Sequence, residues 1–151
     1  MKVFCLIEFK TEFEKLLKSN SYKDLEKQII DFFFGKTSAE FFGTGRRLNG
    51  TNDIPFIKMR LEGRSGYRFY YLLIIKNDEL YLMFLHPKTG PNRAENITKD
   101  FKKTIYNSVL TAIKNNDCFE VYVDKNKLLF KKATSKILIS EDVKNSKKHN
   151  T

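Results

Sequence analysis

The sequence predicts an α+β fold: an N-terminal strand and a helical hairpin packed on an antiparallel sheet, then a third helix and a C-terminal extension. Three observations carry it. Apolar residues recur at helical spacing in two early stretches and again around Ile105. Between them, from Phe56 to Leu85, three strand-like runs are separated only by short turns. The length of 151 residues suits one core, and 41% hydrophobic with 30% charged residues is the balance of a globular chain.

Residues Val3 to Phe9 read as the first strand. Thr11-Glu-Phe-Glu14 has the spacing of a capping box, and Phe13, Leu16 and Leu17 give the following helix its apolar stripe. Asn20-Ser21 breaks that helix, and Ser21 with Asp24 caps a second. Tyr22, Leu25, Ile29 and Phe32 or Phe33 recur along it, and Gly35 stops it. The stretch from Gly35 to Asp53 reads as a loop. Its Gly43-Thr-Gly45 lacks a third glycine and joins no strand to a helix, so it reads as a turn rather than a nucleotide cradle.

Phe56 to Leu61 alternates Phe56, Lys58 and Arg60 with Ile57, Met59 and Leu61, so one face is apolar and the other cationic. Glu62 to Gly66 is a turn, Tyr67 to Lys76 a long aromatic strand, and Glu79 to Leu85 the next strand after Asn77-Asp78. His86 to Arg93 is a loop, as both prolines and Gly90 demand. Thr98 caps a third helix bearing Phe101, Ile105, Val109, Ala112 and Ile113, and Asn115-Asn116 ends it. Phe119 to Val123 and Leu128 to Phe130 flank a four-residue turn, which predicts a hairpin, and Ile137 to Ile139 reads as another short strand. The expected organisation is one domain over residues 1–140, with an extension from about 117 and a basic flexible tail over 141–151.

The chemistry is narrowed by what the chain lacks. Two cysteines and two histidines give no metal-ligand spacing, so no metal and no cofactor is expected. His86 has no G-x-S-x-G turn to serve, which removes a Ser-His-Asp hydrolase. No run approaches the ~20 apolar residues of a membrane span, and the first apolar run is too short for a secretory leader. The expected compartment is the cytoplasm, with no membrane partner.

Lysines and arginines number 28 against 18 acidic residues, for a net charge of +10. Such an excess attracts polyanions, although a solvated lysine-rich surface has the same composition. The period-2 rule groups Lys58 with Arg60, and Arg68 with Tyr70. The turn adds Arg64, and the loop after the third strand adds His86, Lys88 and Arg93. Arginine forks and lysine charges of this kind suit phosphate, and tyrosines stack on bases. A lysine crowded by arginines has its charged form disfavoured and becomes a candidate base.

Ile57-Lys-Met-Arg-Leu61, followed by Arg64-Ser-Gly-Tyr-Arg-Phe-Tyr-Tyr71, resembles the RelE/ParE superfamily of bacterial toxins, with a K-x-R strand, a tight turn and a G-Y-R-h-h-Y strand (h, apolar). The element order over residues 1–115 fits it, including the Arg47-Leu-Asn-Gly50 loop. Pro87-Lys-Thr-Gly-Pro91 before Glu95-Asn-Ile-Thr98 is similar to RelE/HigB-like members. The resemblance implies a toxin of a toxin–antitoxin pair: an endoribonuclease cleaving messenger RNA, usually on the ribosome, and silenced by an acidic antitoxin. It implies catalytic roles for Lys58, Arg68, Lys88 and His86. Arg60, Arg64, Tyr67, Tyr70 and Arg93 are then expected to bind RNA or its phosphates. Phe56 stands where relatives carry a further lysine, and the family's C-terminal tyrosine has no counterpart near Glu95 to Thr98. A ParE-like gyrase inhibitor and a basic RNA-binding module without catalysis stand as alternatives.

Overall fold

The computed structural model describes residues 1–41, 43–50, 53–61, 66–88 and 98–133. Arg64, Arg93, the short strand expected at Ile137 to Ile139 and the basic tail lie outside them. The described residues form a mixed α+β structure of seven strands and four helices. The strands are β1 (Lys2–Cys5), β2 (Arg46–Arg47), β3 (Phe56–Leu61), β4 (Tyr67–Ile74), β5 (Glu79–Pro87), β6 (Phe119–Asp124) and β7 (Lys127–Lys132). The helices are α1 (Ile7–Leu17), α2 (Leu25–Phe33), α3 (Ser38–Phe41) and α4 (Lys99–Asn115).

All strands join one sheet in the order β2-β3-β4-β5-β1-β6-β7. The β3-β4-β5 meander is antiparallel, as the short turns require. β1 lies parallel to β5 and antiparallel to β6. The C-terminal hairpin thus extends the main sheet through β1. Its turn places Lys125 and Asn126 at φ 52° and 63°, the positive values of the two-residue turn that matches strand twist.

Helices cover both faces. Phe9, Phe13 and Leu16 of α1 and Leu25, Ile29 and Phe33 of α2 pack with Ile57, Phe69, Tyr71 and Leu82. On the other face Ile105, Val109 and Ala112 of α4 pack with Phe4, Phe56, Tyr70, Leu72, Tyr81 and Met83. Thr98 caps α4 as expected, its Oγ1 accepting from the Phe101 N–H at 3.1 Å. Asn116 ends the helix in the left-handed region at φ 54°.

Elements depart from expectation at several points, and α2 begins at Leu25 with no capping bond from the Asp24 side chain. β1 stops at Cys5 and the helix begins at Ile7, not after Thr11. Val3, Cys5, Ile7 and Phe9 alternate like a strand, but Phe9, Phe13 and Leu16 also fall on one helical face, and that face is the buried one. Ile7, inward in a strand reading, is 51% exposed. The stretch from Gly35 to Asp53 is not all loop: α3 buries Phe41, and β2 adds an edge strand to β3. Asn49 clasps the end of this stretch, its Nδ2 donating to the Ile54 carbonyl and its Oδ1 accepting from the Phe56 N–H, both at 2.9 Å. No helix among the described residues is long and apolar enough to cross a membrane.

A cationic sheet face as candidate site

The β3–β4 register decides which side chains share a surface. Lys58 pairs with Tyr70 and Arg60 with Arg68, while Arg68 pairs in turn with His86 of β5. Directly opposed residues point to the same face of a sheet, so Lys58, Arg60, Arg68, Tyr70 and His86 share one. That face is the one α4 covers further along.

His86 reaches it through a β-bulge. Tyr70 faces Phe84 but Tyr71 faces Leu82, so Met83 is an extra residue on β5. Met83 and Phe84 both lie on the α4 side, and the alternation after them is reversed. Without the bulge, Leu85 and Pro87 would occupy the cationic face and His86 the hairpin side. The sequence pattern ends this strand at Leu85 and puts His86 in a loop, whereas β5 runs to Pro87 and His86 is a strand residue.

Two cations escaped the sequence reading. Arg46 of β2 pairs with Lys58. Its strand approaches so closely that a Cβ on Gly45, at φ +70°, would stand 2.7 Å from the Lys58 carbonyl oxygen and from Ile57 Cγ2. Only glycine fits there, which gives Gly45 a positional role rather than mere flexibility. Lys102 comes from the second turn of α4 and adds its charge to the field at Lys58. Neither contact has a local signal, since 12 and 44 residues separate these cations from Lys58. A cavity of about 300 Å³ opens between Gly45, Arg46, Lys58, Met59 and Arg60.

Charge and burial act together here. Burial, then the positive charges of Lys102, Arg68, Arg60 and Arg46, hold the Lys58 amine below the ordinary lysine pKa. His86 is 2% exposed, and burial pushes its pKa down to about 4. The Pro87 carbonyl opposes this without hydrogen-bond geometry to either ring nitrogen, and Arg68 and Lys58 reinforce it. His86 is therefore neutral at pH 7. Burial raises the Tyr70 pKa, with Arg68 pulling it back. The two rings lie 6.1 Å apart at 24°. Among the described residues, the Tyr70 hydroxyl and both His86 nitrogens are buried without a hydrogen-bond partner.

Lys88 follows β5. Its N–H donates to the Gly66 carbonyl at 3.0 Å, and its side chain passes over Gly66, where a Cβ would meet its Cδ at 3.2 Å. That places it next to the strand start that carries Arg68. Tyr67 requires a correction. It stands on the opposite face, fully buried, its hydroxyl donating to Asp24 Oδ1 at 2.5 Å and its ring edge-on to Tyr22. The period-2 rule that groups Arg68 with Lys58 sends Tyr67 to the hairpin side. Tyr70 is on the expected face but fully buried, so it underlies the cations and offers no open stacking surface.

Among the described residues no three His, Cys, Asp or Glu side chains gather as a metal ion would need. Arg46, Arg60 and Lys102 form no ion pair with a described carboxylate. No protein-family model matches the chain, and no curated protein is significantly similar to it. The fold and face define an α+β protein with a cationic sheet surface over neutral buried His and Tyr side chains. Such a surface can bind a phosphodiester, accept a proton at an amine of lowered pKa, and donate hydrogen bonds to a developing oxyanion.

Proposed function

We propose that this protein is a RelE/ParE-type toxin: a metal-independent endoribonuclease that cleaves messenger RNA on the ribosome and is held inactive by an acidic antitoxin. One observation carries the reading. Arg60 and Arg68 face each other across β3 and β4, with Lys58 two residues along. Two guanidinium forks beside a lysine amine match the non-bridging oxygens of a phosphodiester. The order of strand, helical hairpin, meander and third helix supports a RelE-like arrangement.

In this mechanism the Lys58 amine takes the proton of a ribose 2′-hydroxyl. The 2′-oxygen attacks the adjacent phosphorus, and the bond to the 5′-oxygen breaks, leaving a 2′,3′-cyclic phosphate. Arg68 and Arg60 stabilise the charge that builds on the non-bridging oxygens, and Lys88 extends the cationic rim. The departing 5′-oxygen takes up that proton from the Lys58 ammonium through water, which returns the amine to its starting state, while His86 and Tyr70, kept neutral by burial, support the cationic face from beneath. An acidic antitoxin segment laid over Arg46, Lys58, Arg60 and Arg68 would extinguish the site, with charge complementarity mainly speeding the encounter.

The test is a translation extract given purified protein, with message cleavage mapped by primer extension. Arg68→Ala should lower the cleavage rate by ~10²-fold or more. The wild-type rate should rise with pH and level off below the ordinary lysine pKa, and Lys58→Gln should abolish that rise. Uncut message under wild-type protein ends the nuclease reading. Gyrase inhibition in its place moves the assignment to the ParE-like alternative.

A further inference from the structure

A second cavity, of about 470 Å³, adjoins the cationic face, between the Asn49 clasp, the start of β3 and the N-terminal half of α4. Its lining combines Leu48, Phe56 and Tyr106 with Lys99, Lys102 and Lys103, and Asp100 is the one carboxylate. Phe56 is buried and backs the half-buried Tyr106 ring, the two stacked at 5.3 Å and 20°. The Asn49 amide fixes the backbone on one side, through Ile54 and Phe56. The cavity therefore has a held aromatic wall and a lysine rim.

We infer that this groove is a nucleobase subsite: it takes one unpaired base of single-stranded RNA, next to the phosphate held by Lys58 and Arg68. The inference rests on the nuclease reading for the position of that phosphate. Two features favour RNA over an acidic peptide. A nucleotide joins a flat apolar face to a charged phosphate, and this groove presents an aromatic wall with cations around it. An acidic side chain would use the lysines and leave the wall idle. The groove is also continuous with the cationic face. Phe56 and Lys58 are alternate residues on the same face of β3, about 7 Å apart, and Lys102 lines the groove while acting on Lys58. A strand can cross from one to the other within a single nucleotide. The volume falls within the roughly 300–1,000 Å³ of small-ligand pockets.

The experiment uses a labelled 2′-O-methyl trinucleotide, which binds without being cut, and the same ligand with one abasic position, scanned through all three. Binding is followed by fluorescence anisotropy. Removing the base at one position should weaken binding to wild-type protein about tenfold or more, the usual effect of one stacked base. Tyr106→Ala should lose the same factor with the full ligand and lose nothing further with the abasic one. Tyr106→Trp should keep the discrimination, and it decides the matter if the alanine variant melts early. Equal binding of full and abasic ligands at every position overturns the subsite. So does displacement of the RNA by an acidic peptide with no dependence on the base, which would make the groove a protein-docking surface. Cleavage activity separates the two readings. Base discrimination without any RNA cleavage retires the nuclease and keeps the groove; cleavage without discrimination retires the groove alone.

Discussion

Three tyrosines on β4, within five residues, live under opposite rules on the two faces of the sheet. Tyr67 and Tyr71 face the helical hairpin and each hydroxyl is satisfied. Tyr67 donates to Asp24, and Tyr71, with its pKa pushed up to about 12 by burial, donates to Thr44 Oγ1 at 3.2 Å, the Thr44 proton being committed to the Phe41 carbonyl. Tyr70 faces the other way, equally buried, with no described partner, beside a histidine in the same condition. Buried polar groups are normally paired, so each exception calls for a physical reason. The hairpin face satisfies its tyrosine hydroxyls, whereas the cationic face buries polar atoms that no described residue satisfies.

The comparison breaks most readily at neighbouring residues. Phe69 is fully buried among Phe9, Phe33 and Tyr67. Phe69→Ala should lower unfolding free energy by about 3–5 kcal/mol in urea titrations. Arg68→Ala, one residue away, should cost less than Phe69→Ala, since Arg68 is only half-buried and leaves no core cavity. Under the proposed function its defect lies in RNA cleavage. A stability loss at Arg68 as large as that at Phe69 would make Arg68 a structural residue.

Next in size is the pH response of His86. In the unfolded chain it takes up a proton near pH 6.5; in the folded protein it stays neutral down to about 4. Between those values the unfolded state binds more protons, so stability falls as pH drops through the window. The loss is at most about 3 kcal/mol, from 1.36 kcal/mol per pH unit. Urea unfolding at pH 7 and pH 4.5 should therefore show a larger decline for wild type than for His86→Gln. Equal declines would mean that the folded protein accepts the proton without penalty.

How far the sequence foretells this arrangement differs by contact range. The alternation of Ile57, Met59 and Leu61 with Lys58 and Arg60 is unambiguous because only one set is apolar, and a short turn to Tyr67 then fixes Arg68 by parity. The same parity excludes Tyr67, whose expected place in the site follows from the G-Y-R resemblance and not from the direction of its side chain. His86 was hidden because residues 80–85 are all apolar and nothing in the row marks Met83 as the bulge. The N-terminal helix start was obscured by an apolar pattern that satisfies both periods over residues 3–9. Arg46 and Lys102 join the site only through tertiary contacts, and single-chain periodicity cannot place residues across a loop or a second layer.

The finest test of the two faces is a pair of single-atom deletions. Tyr67→Phe removes a hydroxyl that donates to a carboxylate, and hydrogen bonds to charged groups contribute about 1.5–3 kcal/mol. Asp24 stands at the start of α2, so the deletion also loosens the tie between that helix and β4. Tyr70→Phe removes a hydroxyl with no described partner and relieves the desolvation of an oxygen that folding takes out of water. It should leave stability unchanged or raise it by up to about 1 kcal/mol. If Tyr70 instead completes its hydrogen bond on bound RNA, the same variant should bind and cleave more weakly while melting no earlier than wild type. Chemical denaturation and oligonucleotide binding of the two phenylalanine variants read out both halves. A Tyr70→Phe variant that is destabilised as much as Tyr67→Phe would show that its hydroxyl is already satisfied within the fold, and the contrast between the faces would disappear.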